Sequence, residues 1–173
     1  MNTSHKFTLV GNWKMNPASL REAKQLRTRY RAIANKYPQI ALAYAPPTAY
    51  LAALTPKGDE SLQMVAQNIF YEQSGAYTGA TSIEIARSVG CNQVLIGHSE
   101  RRTIFGVSEE TVGKKVRAAI ALDMPMIVCV GESQRDESGA YIDALTKQLE
   151  TVLEPFRDNK NKLKLLSIAY EPL

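Results

Sequence analysis

Six short apolar runs, alternating with helical patterns at spacings of about 20 to 35 residues, constrain this 173-residue chain more than any other feature. They are Phe7 to Gly11, Ile40 to Ala45, Leu62 to Gln67, Gln93 to Gly97, Met126 to Gly131 and Lys164 to Tyr170. Most are apolar on both faces, which suits strands covered by helices on either side. Alternation of this kind predicts βαβ units and a parallel sheet. Between the runs, Asn16 reads as an N-cap with Pro17 at the first helical position, and Pro47 to Leu54 as a shorter helix closed by Thr55-Pro56. Ser82 to Val89 reads as a third helix with Gly90 as its stop. Ser108, followed by Glu109 and Glu110 at the positive end of the dipole, opens a fourth. A fifth begins near Gly139 and sets Ile142, Leu145, Leu149, Val152 and Leu153 on one face, expected to pack against the sheet. Periodicity alone does not choose between an open doubly wound sheet and a closed barrel.

With 45% hydrophobic residues, residues 1–173 are expected to form one domain with a substantial core. Cys91 and Cys129 lie far apart, without CxxC spacing or a neighbouring histidine, so neither a metal site nor a disulfide framework is expected. That fits a reduced, cytoplasmic setting. The N-terminal lead contains Lys6 and is followed by an apolar run too brief for a signal peptide, and no stretch approaches membrane-spanning length. The net charge is +4, and Arg21, Lys24, Arg27, Arg29, Arg31 and Lys36 crowd one segment. Leu20, Ala23, Leu26, Tyr30, Ile33 and Tyr37 recur there at three- and four-residue steps, so the cations read as the solvated remainder of an amphipathic helix and not as a nucleic-acid surface.

Chemistry-bearing residues collect where the runs end. Gly11-Asn12-Trp13-Lys14-Met15-Asn16 places an ammonium after the first, Gly97-His98-Ser99-Glu100-Arg101-Arg102 an imidazole after the fourth, and Ala169-Tyr170-Glu171-Pro172 a carboxylate after the sixth. Parallel α/β proteins keep their chemistry at the carboxyl ends of their strands. His98 is one of two histidines, the other being His5 in the lead, and Ser99 to Arg102 read as a helical turn whose amides keep the ring neutral. Most glutamates and lysines at strand ends are simply solvated, so none of these positions is decisive alone.

Together, the three segments resemble those of the triosephosphate isomerase family, which carries them in this order. The resemblance implies an α/β fold of the TIM (β/α)8 barrel class, here an incomplete barrel of six βα units, and chooses the barrel over the open sheet. It implies interconversion of dihydroxyacetone phosphate and D-glyceraldehyde 3-phosphate in glycolysis and gluconeogenesis, without metal or cofactor. On it, Glu171 is the base and His98 the electrophile. Lys14 supplies a fixed positive charge to the substrate oxygen and phosphate, Asn12 a hydrogen bond to the triose, and Glu100 a supporting partner for Lys14. Cys129, in Ile127 to Glu132, matches a family segment behind the pocket and reads as a buried structural thiol. The segment from Gln67 to Gly79 is similar to the loop that family members insert into a partner subunit, with Tyr77 and Thr78 as docking residues of a homodimer. Ala80 stands where family members commonly have glutamate, so an intersubunit ion pair with Arg101 is expected to be missing.

A complete barrel of this class takes about 250 residues, so 173 leaves roughly 77, or about two βα units, unaccounted for. The family's lid and glycine-rich phosphate loops follow the glutamate, and the expectation is therefore an incomplete product with little activity of its own and exposed sheet edges. Two alternatives stay open: a non-catalytic scaffold associating through the Gly75 to Gly79 loop, and a different sugar-phosphate enzyme on a related barrel.

Overall fold

The computed structural model describes residues 7–56, 62–132, 134–135 and 137–172; the lead with His5, and Leu173, lie outside the described residues. The chain divides into two compact units, Met1–Gln67 with Glu84–Gln93 and Asn68–Ile83 with Val94–Leu173. All six expected strands form: β1 (Phe7–Asn12), β2 (Ile40–Ala45), β3 (Leu62–Ala66), β4 (Gln93–Ile96), β5 (Met126–Val130) and β6 (Leu166–Tyr170). The last begins later than expected because Lys160–Leu165 wind into a 3-10 turn.

In the first unit β1 runs parallel to β2, from Phe7 opposite Ile40 to Asn12 opposite Ala45, and β2 runs parallel to β3 with Leu42 opposite Leu62. Helix α1 (Leu20–Lys36) starts three residues after the expected position. Its cap is Ser19, whose hydroxyl accepts from the Glu22 amide at 3.3 Å and donates to the Glu22 carboxylate at 2.8 Å. This reciprocal pairing of Ser and Glu overrides the weaker Asn-Pro signal. Ala23 and Ala34 are buried on the inner face, while Ile33 and Tyr37, expected there, are exposed. Tyr30 from this helix, Trp13 and the fully buried Tyr44 pack edge-on and tilted, with ring centroids 5.3 to 6.0 Å apart. Gly11 makes room for them, since a Cβ there would stand 2.0 Å from the Tyr30 hydroxyl. The expected helix at Pro47 to Leu54 is instead two 3-10 turns, Thr48–Tyr50 and Ala52–Leu54. A segment this short between prolines favours the tighter i→i+3 bonding. Helix α2 (Ile83–Ser88) ends before Gly90, which takes the left-handed conformation (φ +92°) expected of a stop.

In the second unit β4, β5 and β6 pair in parallel, Val94 opposite Met126 and Met126 opposite Leu166. Helices α3 (Ser99–Thr103), α4 (Glu109–Ala121) and α5 (Ala140–Leu153) follow the strand ends. Ser108 caps α4 as expected, accepting from the Thr111 amide, and Val112, Val116, Ala119 and Ile120 are buried beneath it. On α5 only Val152 is fully buried; Ile142 and Leu153 are exposed, so the expected apolar face covers the sheet incompletely. Strand β5 is buried throughout, whereas β1 and β6 keep Phe7, Leu9, Ile168 and Tyr170 exposed. Burial on both faces therefore fails at these two strands, each of which has a described pairing on one side only. No helix among the described residues is long and apolar enough to cross a membrane.

Among the described residues two charged side chains, Lys115 and Glu132, are buried. Lys115 is 3% exposed, and its ammonium donates to Asn68 Oδ1 at 2.7 Å. Burial, with the Arg101 guanidinium adding to it, pushes its pKa down from 10.5 to about 8. Between those values the unfolded chain holds a proton that the folded chain has lost, so stability falls as pH drops through this window. Relative to Lys115→Met, the parent is expected to lose on the order of 2–3 kcal/mol between pH 10.5 and pH 8, as read by urea unfolding. A pH-independent difference would contradict this account of the lysine.

Candidate active site

Each polar strand-end segment is shaped by its own backbone. At the end of β1 the Trp13 amide donates to the Ala45 carbonyl at 3.0 Å, and the buried indole anchors the segment. Lys14 then turns into the left-handed region (φ +54°), held by its amide donating to Asn12 Oδ1 at 3.0 Å and by Gln67 Nε2 donating to its carbonyl at 2.8 Å. A side-chain-bearing residue in this conformation costs on the order of 1–2 kcal/mol, which the two hydrogen bonds offset. The Lys14 side chain is exposed, and so is Met15 beyond it. Asn12 and Lys14 thus share one turn at the carboxyl end of β1. Gln67, expected only as a strand end and the start of a loop, also joins this turn to β2 through a second bond to the Ala45 carbonyl at 2.8 Å, a role that glutamine at a strand end does not signal.

In the second unit β4 ends at Ile96, and Gly97 takes φ +71° to turn the chain. His98 follows as the N-cap of α3: its Nδ1 accepts from the Glu100 amide at 3.2 Å. The neutral ring consequently carries its proton on Nε2, which faces Glu171 Oε1 at 3.3 Å. Glu171 stands at the carboxyl end of β6, its amide donating to the Val130 carbonyl at 2.8 Å. Its other oxygen, Oε2, accepts from the Ser99 amide at 2.9 Å. The imidazole is 12% exposed and the carboxylate 26%, so the pair is shielded yet open to a small ligand. His98 and Glu171, seventy-three residues apart in sequence, are therefore neighbours in space.

The surroundings explain how the carboxylate is held. Gly131 passes so close that a Cβ there would lie 1.9 Å from the Glu171 carbonyl oxygen. Gln148 of α5 pairs with both polar groups of Gly131, donating to its carbonyl at 2.9 Å and accepting from its amide at 3.0 Å. Tyr170, one residue before the carboxylate, donates to the buried Glu132 at 2.9 Å, and Arg135 donates to the same carboxylate at 2.7 Å. The Glu132 backbone amide first, then Tyr170 and Arg135, hold its carboxyl below the usual range. Cys129 is buried, and burial first, then the neighbouring Glu171 carboxylate, pushes its thiol up to about 12. It is a packed thiol, inert at neutral pH. The backbone amide of Ser99 escaped sequence reading because a main-chain donor leaves no trace in residue type, and the Glu132–Tyr170–Arg135 cluster because Tyr170 stands 38 residues from Glu132 in sequence.

Glu100 is half-exposed and contributes its amide to His98. The loop from Gly75 to Gly79 turns on two left-handed glycines (φ +138° and +82°) and presents Tyr77 at 46% exposure with Thr78 exposed beside it. Phe70 backs the tyrosine ring at 4.7 Å. Among the described residues, no group of three or more His, Cys, Asp or Glu is arranged to hold a metal ion.

Comparison with known proteins gives a consistent picture. The family model described as Triosephosphate isomerase matches residues 7–173. A triosephosphate isomerase of Francisella philomiragia subsp. philomiragia is 36% identical over 166 residues, covering 95% of this chain and 64% of that protein. Those of Chloroherpeton thalassium (36% over 170 residues; 97% and 67% covered) and Coprinopsis cinerea (34% over 171 residues; 98% and 67%) match similarly. The chain spans about two thirds of the length of these curated relatives.

Gly131→Ala is expected to force β5 and the Glu171 backbone apart and to cost about 1–3 kcal/mol, the usual range for overpacking. Chemical denaturation measures the loss; a variant of unchanged stability would show that the close approach of Gly131 and Glu171 is not tight.

Proposed function

Because the chain belongs to the triosephosphate isomerase family, we propose that the protein carrying it interconverts dihydroxyacetone phosphate and D-glyceraldehyde 3-phosphate, a step of glycolysis and gluconeogenesis. Its fold class is the family's α/β barrel class, present as six βα units, and the reading treats residues 1–173 as one partial barrel domain. The observation that carries the proposal is the His98–Glu171 pair, Nε2 and Oε1 3.3 Å apart at the carboxyl ends of β4 and β6.

Moving a proton between adjacent carbons of a hydroxy-ketone needs a base at the carbon, a donor at the carbonyl oxygen, and positive charge for the enediolate. Glu171 takes the carbon-bound proton. With Oε2 engaged by the Ser99 amide, Oε1 is the oxygen placed to accept it. The electron pair left behind becomes the C=C bond of the enediolate as the carbonyl π pair moves onto oxygen; the Nε2 proton of His98 stabilises that oxygen, and the ring then moves a proton between the two oxygens. Return of the proton from Glu171 to the neighbouring carbon completes the isomerisation. Lys14 supplies the fixed positive charge for the oxygens and the phosphate, Asn12 a hydrogen bond to the triose, and Glu100 supports Lys14. The scheme assigns no step to a metal or cofactor. The exposed Tyr77 and Thr78 support a homodimer formed through their loop, in a cytoplasmic enzyme without nucleic-acid or membrane partners.

In the whole protein, Glu171→Asp withdraws the carboxylate by about 1 Å, a displacement expected to cost on the order of 100-fold in kcat with a smaller change in KM. Deuterium uptake at the reacting carbon of dihydroxyacetone phosphate in heavy water reads the same step directly. Uptake equal in parent and variant, or absent from the parent, would refute Glu171 as the base.

A further inference from the structure

We propose that Arg102 is a positioning residue, strapping the carboxyl ends of β4 and β5 together so that His98 and Glu171 keep their relative placement. The inference rests on the reading of His98 and Glu171 given above and names a residue that holds them without touching substrate. The printed β4–β5 register runs from Val94 opposite Met126 to Ile96 opposite Val128. Its next pair would be Gly97 and Cys129. Gly97, however, turns left-handed to launch His98, so its carbonyl leaves the ladder. Arg102 bonds the carbonyls of both residues of this broken pair: Nε donates to Gly97 at 2.6 Å and Nη2 to Cys129 at 3.1 Å. Nη1 pairs with Glu109 in the first turn of α4, which balances the charge of a guanidinium only 13% exposed.

Both carbonyls belong to peptides that lead straight to the site. The Gly97 carbonyl forms the peptide bond to His98, and the Cys129 carbonyl precedes Val130, whose own carbonyl receives the Glu171 amide. A planar guanidinium has donors enough, in a fixed fork, for two carbonyls and a carboxylate; a lysine ammonium does not reproduce that geometry. Gly97 is matched to the strap, as a Cβ there would lie 2.8 Å from Nη2.

The test separates positioning from general stability by reading the Ser99 amide, whose hydrogen bond to Glu171 exists only when the two strand ends are in place. In the parent this amide should resonate downfield and lose that shift in Glu171→Gln. Arg102→Lys, kept well below its melting temperature, should lose it too, with amide exchange at Ser99 faster by about tenfold or more. Glu109→Gln, which lowers stability but spares both carbonyl bonds, should keep the signal. In turnover of the whole protein, Arg102→Lys should lower kcat about tenfold and leave KM nearly unchanged. A folded Arg102→Lys protein with the parent's Ser99 resonance and exchange rate would overturn the proposal, as would loss of the signal to the same extent in Glu109→Gln. Should the whole protein show no turnover while the Ser99 signal still depends on Arg102, the positioning role stands and the isomerase reading falls.

Discussion

Parallel pairing of β5 with β6 is the constraint on which the second unit depends. It sets Val130 opposite Tyr170 and so delivers the Glu171 amide to the Val130 carbonyl. From there the carboxylate reaches the Ser99 amide and the imidazole, which the β4 end supplies. Short apolar strands buried on both faces make this framework stiff, because β5 has no solvated side on which to relax. Gly131 and Gly97 are the two places where the framework gives way, one to a close backbone approach and the other to a left-handed turn.

Much of this was legible in the residues. Uninterrupted apolar runs bounded by glycine and polar residues locate strands well, and all six lie within two residues of their expected limits. Helix starts were legible where one residue dominates the capping chemistry, as Ser108 does, and misread where two signals compete, as Asn16-Pro17 and Ser19 to Glu22 do. The apolar face assigned to α5 includes Ile142 and Leu153, which are exposed, because periodicity reports a stripe and not what covers it. At the site, His98 and Glu171 were legible as strand-end residues and from the family resemblance. The contacts that orient them were not: they run through main-chain groups of Ser99, Glu100, Gly97 and Val130, which every residue possesses.

The first unit shows the same division of labour. Asn12 and Lys14 were identified by residue type, but the turn that carries them is held by a side chain folding back on a backbone amide and by Gln67 on two carbonyls. The aromatic cluster of Trp13, Tyr30 and Tyr44 fixes the base of that turn. In both units the candidate residues sit on short turns immediately beyond the strands, where hydrogen bonds to the backbone shape the turn.

The central claim is that His98 is held with Nδ1 accepting and Nε2–H turned toward Glu171. Nitrogen-15 NMR of the histidine-labelled protein tests it most directly, since the chain has only His5 and His98 to assign. The account predicts a neutral His98 ring protonated on Nε2, with that resonance shifting in Glu171→Gln while His5 stays unchanged. A His98 ring protonated on Nδ1, or an Nε2 resonance indifferent to Glu171→Gln, would contradict it.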